Sequence, residues 1–288
     1  MTVGVTFWGV RGSVATPGPD TVRYGGNTPC VSLTDDDGRC LILDAGTGIR
    51  ALGEVILGRP TGPADVDVLL SHSHWDHIQG LPFFGPLYQD GARVRIHGPA
   101  QPGASLREVL QRQMDPSVFP IPLAEVAADL TIEELDVGLS VVSPWRIDAV
   151  RLQHPGIALG YRVRHESGGP SLAYVTDNEL GDGGLNAMAD DWYESLVQHL
   201  DGVDVLIHDA MYAEKSKPHR IGWGHSTPEE ALELALACGS RHLVLFHHDP
   251  AHEDEVLDQL VSRAQTTVSA RAASLTVEAA REGSTLSL

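Results

Sequence analysis

The chain has 288 residues, and its 39 acidic against 20 basic side chains leave a formal net charge of −19 with histidine neutral. Hydrophobic residues make up 42% and charged residues 20%, which supplies a buried core and excludes a disordered chain. The acidic balance argues against a broad polyanion-binding surface, because phosphate backbones are held by clustered lysine and arginine. A small anionic substrate stays compatible with this charge, since bound metal ions would reverse its sign locally.

Cysteine spacing and apolar segments bear on the location of the protein. Cys30, Cys40 and Cys238 are odd in number and far apart, so we predict buried thiols rather than a disulfide framework. The N-terminus lacks a basic region followed by a long apolar run, and no stretch approaches the roughly 20 apolar residues that span a bilayer. We therefore predict a soluble, cytoplasmic protein with no membrane partner.

Short apolar runs between turn signals predict a series of β-strands. In chain order they are Val3–Trp8, Cys30–Leu33, Cys40–Leu43, Val66–Leu70, Arg93–His97, Ser140–Leu152, Leu159–Val163, Leu172–Thr176, Val203–His208 and His242–Phe246. The predicted helices are Ile49–Leu57, Ser105–Gln113, Asp191–Leu200, Pro228–Ala237 and Asp254–Gln265. Thr227 can cap the fourth helix, with Pro228 at its first position and Glu230 completing a capping box. This pattern predicts two packed sheets with helices outside, in a single domain over 1–288.

A dense group of metal-ligand residue types follows the apolar run Val66–Leu70. Its sequence is Ser71-His72-Ser73-His74-Trp75-Asp76-His77. Imidazole nitrogens and carboxylate oxygens suit zinc, manganese and iron(II). The segment holds too many ligands for one open tetrahedral site, but it could supply two ions. In that interpretation His72 and His74 bind one ion, and Asp76 and His77 bind the other.

Three more candidate ligands, His154, Asp177 and His247, each come directly after a predicted apolar strand. Each of them alone is compatible with an ordinary loop residue. Their shared placement at strand ends favours a common site. The adjacent His248 competes with His247 for the role of last ligand.

The motif His72-x-His74-x-Asp76-His77, with its three later partners, resembles the metallo-β-lactamase superfamily. The resemblance covers nearly the whole chain and implies an α/β fold, a four-layer αββα metallo-β-lactamase sandwich with a dinuclear site at the edge of both sheets. The implied ligands of the first ion are His72, His74 and His154. Those of the second are Asp76, His77 and His247, with Asp177 bridging both ions. The family's His-x-Asp-Pro pattern implies His247 rather than His248, and the implied cofactors are two divalent ions, Zn²⁺ first, with Mn²⁺ or Fe²⁺ as alternatives.

Two further stretches resemble the ribonuclease Z-like branch of the superfamily. Leu206-Ile207-His208-Asp209-Ala210 resembles its HEAT element, with Asp209 in place of the usual Glu. Gly222-Trp223-Gly224-His225-Ser226-Thr227 resembles its Gly-His-Ser-Thr element. In that branch this histidine acts at the substrate phosphate and is not a metal ligand. Two N-terminal segments are similar to bacterial phosphodiesterase-like members, Trp8–Ser13 and Arg23–Thr28.

The resemblance implies hydrolysis by a metal-bridging hydroxide, because two divalent ions lower the pKa of a shared water and neutralise a phosphoryl oxygen. His225 would protonate the leaving alkoxide or bind a non-bridging oxygen, and Asp209 would hold its tautomer. Asp76 is a candidate catalytic residue as well as a ligand.

The basic residues bear on the substrate. Ribonuclease Z itself clamps tRNA with a protruding basic arm, whereas this chain has no lysine-rich arm before His154. The densest basic group lies just before His225 and comprises Lys215, Lys217, His219 and Arg220. It is either a phosphate-steering group or an exposed polar loop. We therefore expect a phosphodiesterase for small phosphodiesters such as cyclic nucleotides, without structured nucleic acid as a partner. Formation of a homodimer is left open.

Other functions stay open. A lactonase or carboxylic-ester hydrolase could use the same metal site, since lactonases of this superfamily also bridge their metals with Asp. A tRNA-processing endonuclease is a second alternative. The least favoured is a non-catalytic nucleotide sensor, because silent members typically lose ligands.

Overall fold

The computed structural model of the chain describes residues 2–60 and 62–288. The structure divides into two compact units, each built on one seven-stranded sheet. The first unit contains Asn27–Asp136, the N-terminal strand and Arg281–Leu288, and the second contains Thr16–Gly26 and Val137–Ala280. The single domain over 1–288 is not tested by this division and stays a prediction.

The strands of the first unit form one mixed sheet. They are β1 (Val3–Gly9), β2 (Cys30–Asp35), β3 (Cys40–Leu43), β4 (Asp65–Leu69), β5 (Arg93–Gly98), β6 (Asp129–Glu134) and β14 (Thr285–Ser287). Their spatial order is β14-β1-β2-β3-β4-β5-β6. Strands β3 to β6 are parallel, so their carboxyl ends meet at the same edge of the sheet.

Three helices accompany this sheet: α1 (Ile49–Leu57), α2 (Trp75–Ile78) and α3 (Leu106–Gln113). Helix α1 buries Ile49, Leu52 and Ile56, which lie on one face because they are three and four residues apart. They share a core with Val66 and Val68 of β4. Burying each such aliphatic side chain contributes about 1.5–3 kcal/mol. This packing holds β4 firmly, and the chain leaves β4 directly into the histidine-rich segment.

The second unit has its own mixed sheet. Its strands are β7 (Gly138–Val142), β8 (Trp145–Arg151), β9 (Leu159–His165), β10 (Ser171–Val175), β11 (Val205–Asp209), β12 (His242–Phe246) and β13 (Thr276–Ala279). Their spatial order is β13-β12-β11-β10-β9-β8-β7. Strands β10 to β13 are parallel, and β8 runs with β10 because β9 is antiparallel to both. The carboxyl ends of β8, β10, β11 and β12 therefore meet at one edge.

The helices of this unit are α4 (Trp192–His199), α5 (Pro228–Ala237) and α6 (Asp254–Ala270). The predicted start of α5 is confirmed. The Thr227 side chain accepts the N–H of Glu230 at 3.2 Å, and Glu230 Oε2 accepts the N–H of Thr227 at 2.9 Å. This capping box places the N-cap of α5, Thr227, two residues after His225, which limits how far the preceding loop can move.

The prediction of one strand over Ser140–Leu152 is wrong. The structure has a hairpin there, β7 and β8, which turns at Ser143 and Pro144. Proline has a fixed φ and no N–H to donate, so it interrupts a strand. Strands β6, β13 and β14 were not predicted; they lie at sheet edges and are partly exposed, so no continuous apolar run marks them.

The remaining expectations concern thiols and membrane spans. Cys30, Cys40 and Cys238 are buried free thiols, as predicted. Burial raises the pKa of all three, which keeps the thiols protonated near neutral pH. In the described part of the chain, no helix combines the length and the apolar character that crossing a membrane requires.

Candidate metal centre

The candidate ligands of the first unit follow β4, with His72 and His74 in the connecting loop and Asp76 and His77 in helix α2. His72, Asp76 and His77 are buried, and His74 is exposed. The ring centroid of His72 lies 4.5 Å from that of His74 and 4.2 Å from that of His77. His77 Nε2 lies 3.4 Å from Asp76 Oδ2. The four predicted ligands of this segment thus form one compact group.

Asp44, which the sequence reasoning missed, holds this group in place. Its Oδ2 accepts the Nδ1–H of His77 at 2.7 Å, and its carboxylate accepts the N–H and the hydroxyl of Ser71 at 2.7 and 2.8 Å. A histidine held at Nδ1 presents Nε2 as the nitrogen that can bind a metal ion. Asp44 directly follows β3, so the strand-end rule applied to the other ligands would have found it.

In the second unit, Asp177 follows β10, His247 follows β12, and His154 comes after β8. Asp177 and His247 have φ values of 49° and 58°, in the left-handed region that non-glycine residues rarely adopt. Such conformations cost about 1–3 kcal/mol and concentrate at functional sites. Asp177 Oδ1 lies 3.1 Å from His247 Nε2, and Asp177 Oδ2 lies 3.8 Å from His154 Nε2. Each carboxylate oxygen faces a different histidine nitrogen, so Asp177 lies between His154 and His247.

Hydrogen bonds determine which ring nitrogen His154 presents and what His248 contacts. His154 donates its Nδ1–H to the Gly224 carbonyl at 3.0 Å, which leaves Nε2 to bind a metal ion. His248 donates its Nε2–H to the Ala280 carbonyl at 3.0 Å. His247, in contrast, belongs to a group whose ligand atoms all lie within 4.8 Å of one another, comprising Asp177, Asp209, His225 and His247. The geometry therefore favours His247 over His248.

His225 and Asp209 form a buried pair in this group. His225 Nδ1 lies 2.6 Å from Asp209 Oδ2, and Asp209 Oδ1 accepts the N–H of Ser226 at 3.2 Å. Burial alone would raise the pKa of Asp209, but the neighbouring rings of His225 and His247 outweigh it and hold the pKa below its usual range. The ionised carboxylate accepts the Nδ1–H of His225, which fixes the orientation of the imidazole ring.

Part of the predicted basic group is committed to the fold. Lys217 Nζ donates to the Leu180 carbonyl and to Glu230 Oε2, both at 2.8 Å. The Arg220 guanidinium lies 3.1 Å from Asp249 Oδ2 and 4.5 Å from the centre of the Tyr212 ring. Lys215 and His219 are exposed. The hypothesis of phosphate steering is therefore weaker for Lys217 and Arg220 than the sequence suggested.

Comparison with known proteins identifies the family to which the chain belongs. A family model described as "Beta-lactamase superfamily domain" matches residues 39–248, more than half of the chain. The chain belongs to the β-lactamase superfamily. The predicted superfamily is confirmed, and with it the prediction of a metallohydrolase. The matched segment contains every predicted metal ligand.

Individual members of the superfamily resemble the chain over most of its length. Ribonuclease Z of Haloarcula marismortui is 26% identical over 302 residues, covering 90% of this chain and 91% of that protein. The metallo-β-lactamase fold protein YhfI from Bacillus subtilis has a TM-score of 0.69 at 19% identity, with 99% of each chain covered. Unliganded yeast PDE1 has a TM-score of 0.72 at 16% identity, with both chains fully covered at 100%. These structures confirm the predicted α/β metallo-β-lactamase fold.

Proposed function

We propose that the protein is a dinuclear metal-dependent phosphodiesterase that cleaves small phosphodiesters such as cyclic nucleotides. The observation that carries this proposal is the buried His225–Asp209 pair beside Asp177 and His247. A histidine oriented by a carboxylate can act on a substrate oxygen, whereas a ligand histidine is occupied by its metal ion. Such a group accelerates phosphodiester hydrolysis by protonating the leaving alkoxide.

The metal site in this proposal uses the ligand set that the superfamily resemblance implies. The ligands of one ion are His72, His74 and His154. The ligands of the other are Asp76, His77 and His247, with Asp177 bridging. The donor set fits divalent metal ions, because His77 and His154 are both held at Nδ1 and present Nε2. Zn²⁺ is the leading candidate, and Mn²⁺ or Fe²⁺ suit the same donors.

When bound, two such ions lower the pKa of a water molecule and offset charge on a phosphoryl oxygen. The protein's own part falls to His225 and two carboxylates. His225, protonated at both ring nitrogens, donates its Nε2–H to the leaving alkoxide or to a non-bridging oxygen, while the Asp209 carboxylate accepts the Nδ1–H and stabilises the cationic ring. Asp76, whose Oδ2 accepts the N–H of Ser13 at 2.7 Å, is held in place to accept a proton as well as to bind metal.

Two alternatives have specific support. Processing of precursor tRNA is supported by the relative named ribonuclease Z, in tension with our expectation that structured nucleic acid is not a partner. The net charge of −19 favours the small substrate, because a long phosphate backbone is held by many cations. A lactonase would use the same bridging Asp177, but the Gly-His-Ser-Thr element that contains His225 resembles the ribonuclease Z-like branch and favours phosphoryl chemistry.

Metal analysis combined with a substrate panel tests the proposal. Purified protein saturated with Zn²⁺ or Mn²⁺ is expected to hold about two ions per chain, as a two-metal site requires. Asp177→Ala should weaken at least one of them. Among an alkyl phosphodiester, a phosphomonoester, a lactone and a β-lactam, the phosphodiester should be turned over fastest.

A saturated preparation with one ion or none would disprove the dinuclear centre. If the lactone is turned over fastest, the protein is a lactonase and the proposal of a phosphodiesterase is wrong. Metal binding without turnover of any phosphodiester, together with nucleotide binding, would support the sensor.

A further inference from the structure

Glu179 is a fully buried carboxylate in the loop after β10. Its Oε2 accepts the N–H groups of Gly222 and Gly224, each at 2.9 Å, and its Oε1 accepts the N–H of Gly222 at 3.1 Å. One carboxylate therefore fixes two backbone amides of the loop that leads to His225.

That loop touches His154 through its backbone. Gly222 and Gly224 have φ values of 83° and 87°, which only glycine adopts without strain. A Cβ atom at Gly224 would collide with the imidazole ring of His154 and with Pro155. The Gly224 carbonyl accepts the Nδ1–H of His154 at 3.0 Å. The position of Gly224 thus sets the orientation of the His154 ring.

Glu179 is also tied to the segment that carries His154. Its own N–H donates to the Gln153 carbonyl at 2.9 Å, and Gln153 Nε2 donates to the Glu179 carbonyl at 2.8 Å. The side chain of Glu179 holds one loop and its backbone holds the other. A shift of the Gly222–His225 loop would therefore disturb the hydrogen bonds to Glu179 and to His154 together.

We propose that Glu179 is a positioning residue that sets two functional histidines at once. Through Gly224 it orients His154, and through the same loop it places His225. The roles given to these two histidines rest on the proposed function. A neutral amide of the same shape replaces the carboxylate poorly, because in either orientation its NH₂ group faces the N–H of Gly222.

The test compares Glu179→Gln with the matched control Asp204→Asn. The Asp204 carboxylate also accepts a backbone N–H, that of Ser171 at 2.8 Å, but it lies at the amino end of β10, away from His154. In metal-free protein labelled with ¹⁵N-histidine, Glu179→Gln should shift the ring signals of His154 and His225. Asp204→Asn should leave both unchanged. The signals are assigned with His154→Ala and His225→Ala.

Metal titration supplies the second measurement. Loss of a group that orients a metal ligand typically lowers metal affinity by about 10–100-fold, and we expect that loss for one ion in Glu179→Gln. For an alkyl phosphodiester, kcat should fall more than KM rises. Unchanged ring signals in Glu179→Gln, or equal changes in Asp204→Asn, would overturn the proposal.

Two further outcomes are separable. If Glu179→Gln does not fold, hydrogen exchange of the Gly222 and Gly224 amides is measured in the wild-type protein. Slow exchange is expected, and fast exchange would overturn the proposal. If the wild-type protein hydrolyses no phosphodiester, the proposed function fails. The ring signals and the metal titration then still judge Glu179.

Discussion

Three histidines of the candidate site each have a hydrogen-bond partner at Nδ1, and that partner determines which ring nitrogen points away from it. A carboxylate holds it in His77 and His225, and a backbone carbonyl holds it in His154. All three rings therefore present Nε2. A carboxylate at Nδ1 suits either role, because it raises the basicity of a metal-binding ring and also stabilises a ring that becomes positively charged. The proposed function gives His77 the first role and His225 the second, and the predicted effects of replacing His225 distinguish the two roles.

Replacing His225 by alanine separates chemistry from metal binding. His225→Ala should keep two ions per chain and lose about 10²–10⁴-fold in turnover of an alkyl phosphodiester, the usual contribution of a general acid. The loss should be smaller for a nitrophenyl phosphodiester, because nitrophenolate leaves without a proton. Metal content and turnover of both substrates are measured on the same preparations.

Loss of an ion in His225→Ala would show that His225 is a ligand and that His247 was assigned incorrectly. Undiminished activity towards the alkyl phosphodiester would remove the main support for phosphodiester hydrolysis. The lactonase would then become the better interpretation.

At the scale of elements, neighbouring parallel strands are joined by charged side chains as well as by their backbone. Arg95 of β5 makes two hydrogen bonds to the carboxylate of Asp67 on β4, both at 2.7 Å, and His97 Nε2 donates to Asp67 at 3.1 Å. Burial alone would raise the pKa of Asp67, but hydrogen bonds from His97 and Arg95 outweigh this effect and hold the pKa below its usual range. The ionised form of Asp67 therefore stabilises the first unit.

Asp67→Asn should lower the free energy of unfolding at pH 7 by about 1–3 kcal/mol, since it weakens a partly buried charged pair. Because folding lowers the pKa of Asp67, its stabilisation is present above the unfolded pKa of about 3.9 and is lost as the pH falls towards the folded value. Urea unfolding with a chelator, at pH 7, 5 and 3, should show the difference shrinking at pH 3. The exposed Asp190→Asn is the control, and a difference independent of pH would contradict this account.

At the scale of the whole molecule, the net charge is strongly negative, and most of the basic residues are arginines. Lys215 and Lys217 are the only lysines in the sequence, and Lys217 is bound to Glu230. Binding a long phosphate backbone gains free energy by releasing counterions from many phosphates, which requires many accessible cations. This chain has 39 acidic against 20 basic side chains, and the excess of negative charge repels a phosphate backbone. The whole-molecule charge thus favours small substrates over folded RNA.

The corresponding prediction concerns salt. Precursor tRNA should be cleaved much more slowly than a small phosphodiester under the same conditions. Activity on the small substrate should change little between 50 and 200 mM salt, a range over which a protein with 6–10 phosphate contacts loses about 10³–10⁵-fold in affinity. Efficient cleavage of tRNA that falls steeply with salt would support the endonuclease instead.

Local sequence signals determined a large part of this protein. Helices α1 and α5 lie at their predicted bounds, because apolar spacing and capping residues act within a few positions. The candidate ligands were predicted from their places after apolar strands, because the chain order of a strand and the residue after it is itself local. The superfamily followed from the same motif.

Tertiary structure decided what depends on partners far apart in the chain. The choice between His247 and His248 turns on which ring reaches Asp177, 70 residues earlier, and which one meets Ala280. Asp44 and Glu179 gain their roles from residues 33 and 45 positions away, respectively His77 and Gly224. Edge strands β6, β13 and β14 form because a neighbouring strand offers its backbone, since their own sequences carry at most a short alternation of apolar and polar residues. The sequence shows which residue types could bind a metal ion or form a hydrogen bond, but the partner of each one depends on which distant residues the folded backbone brings close.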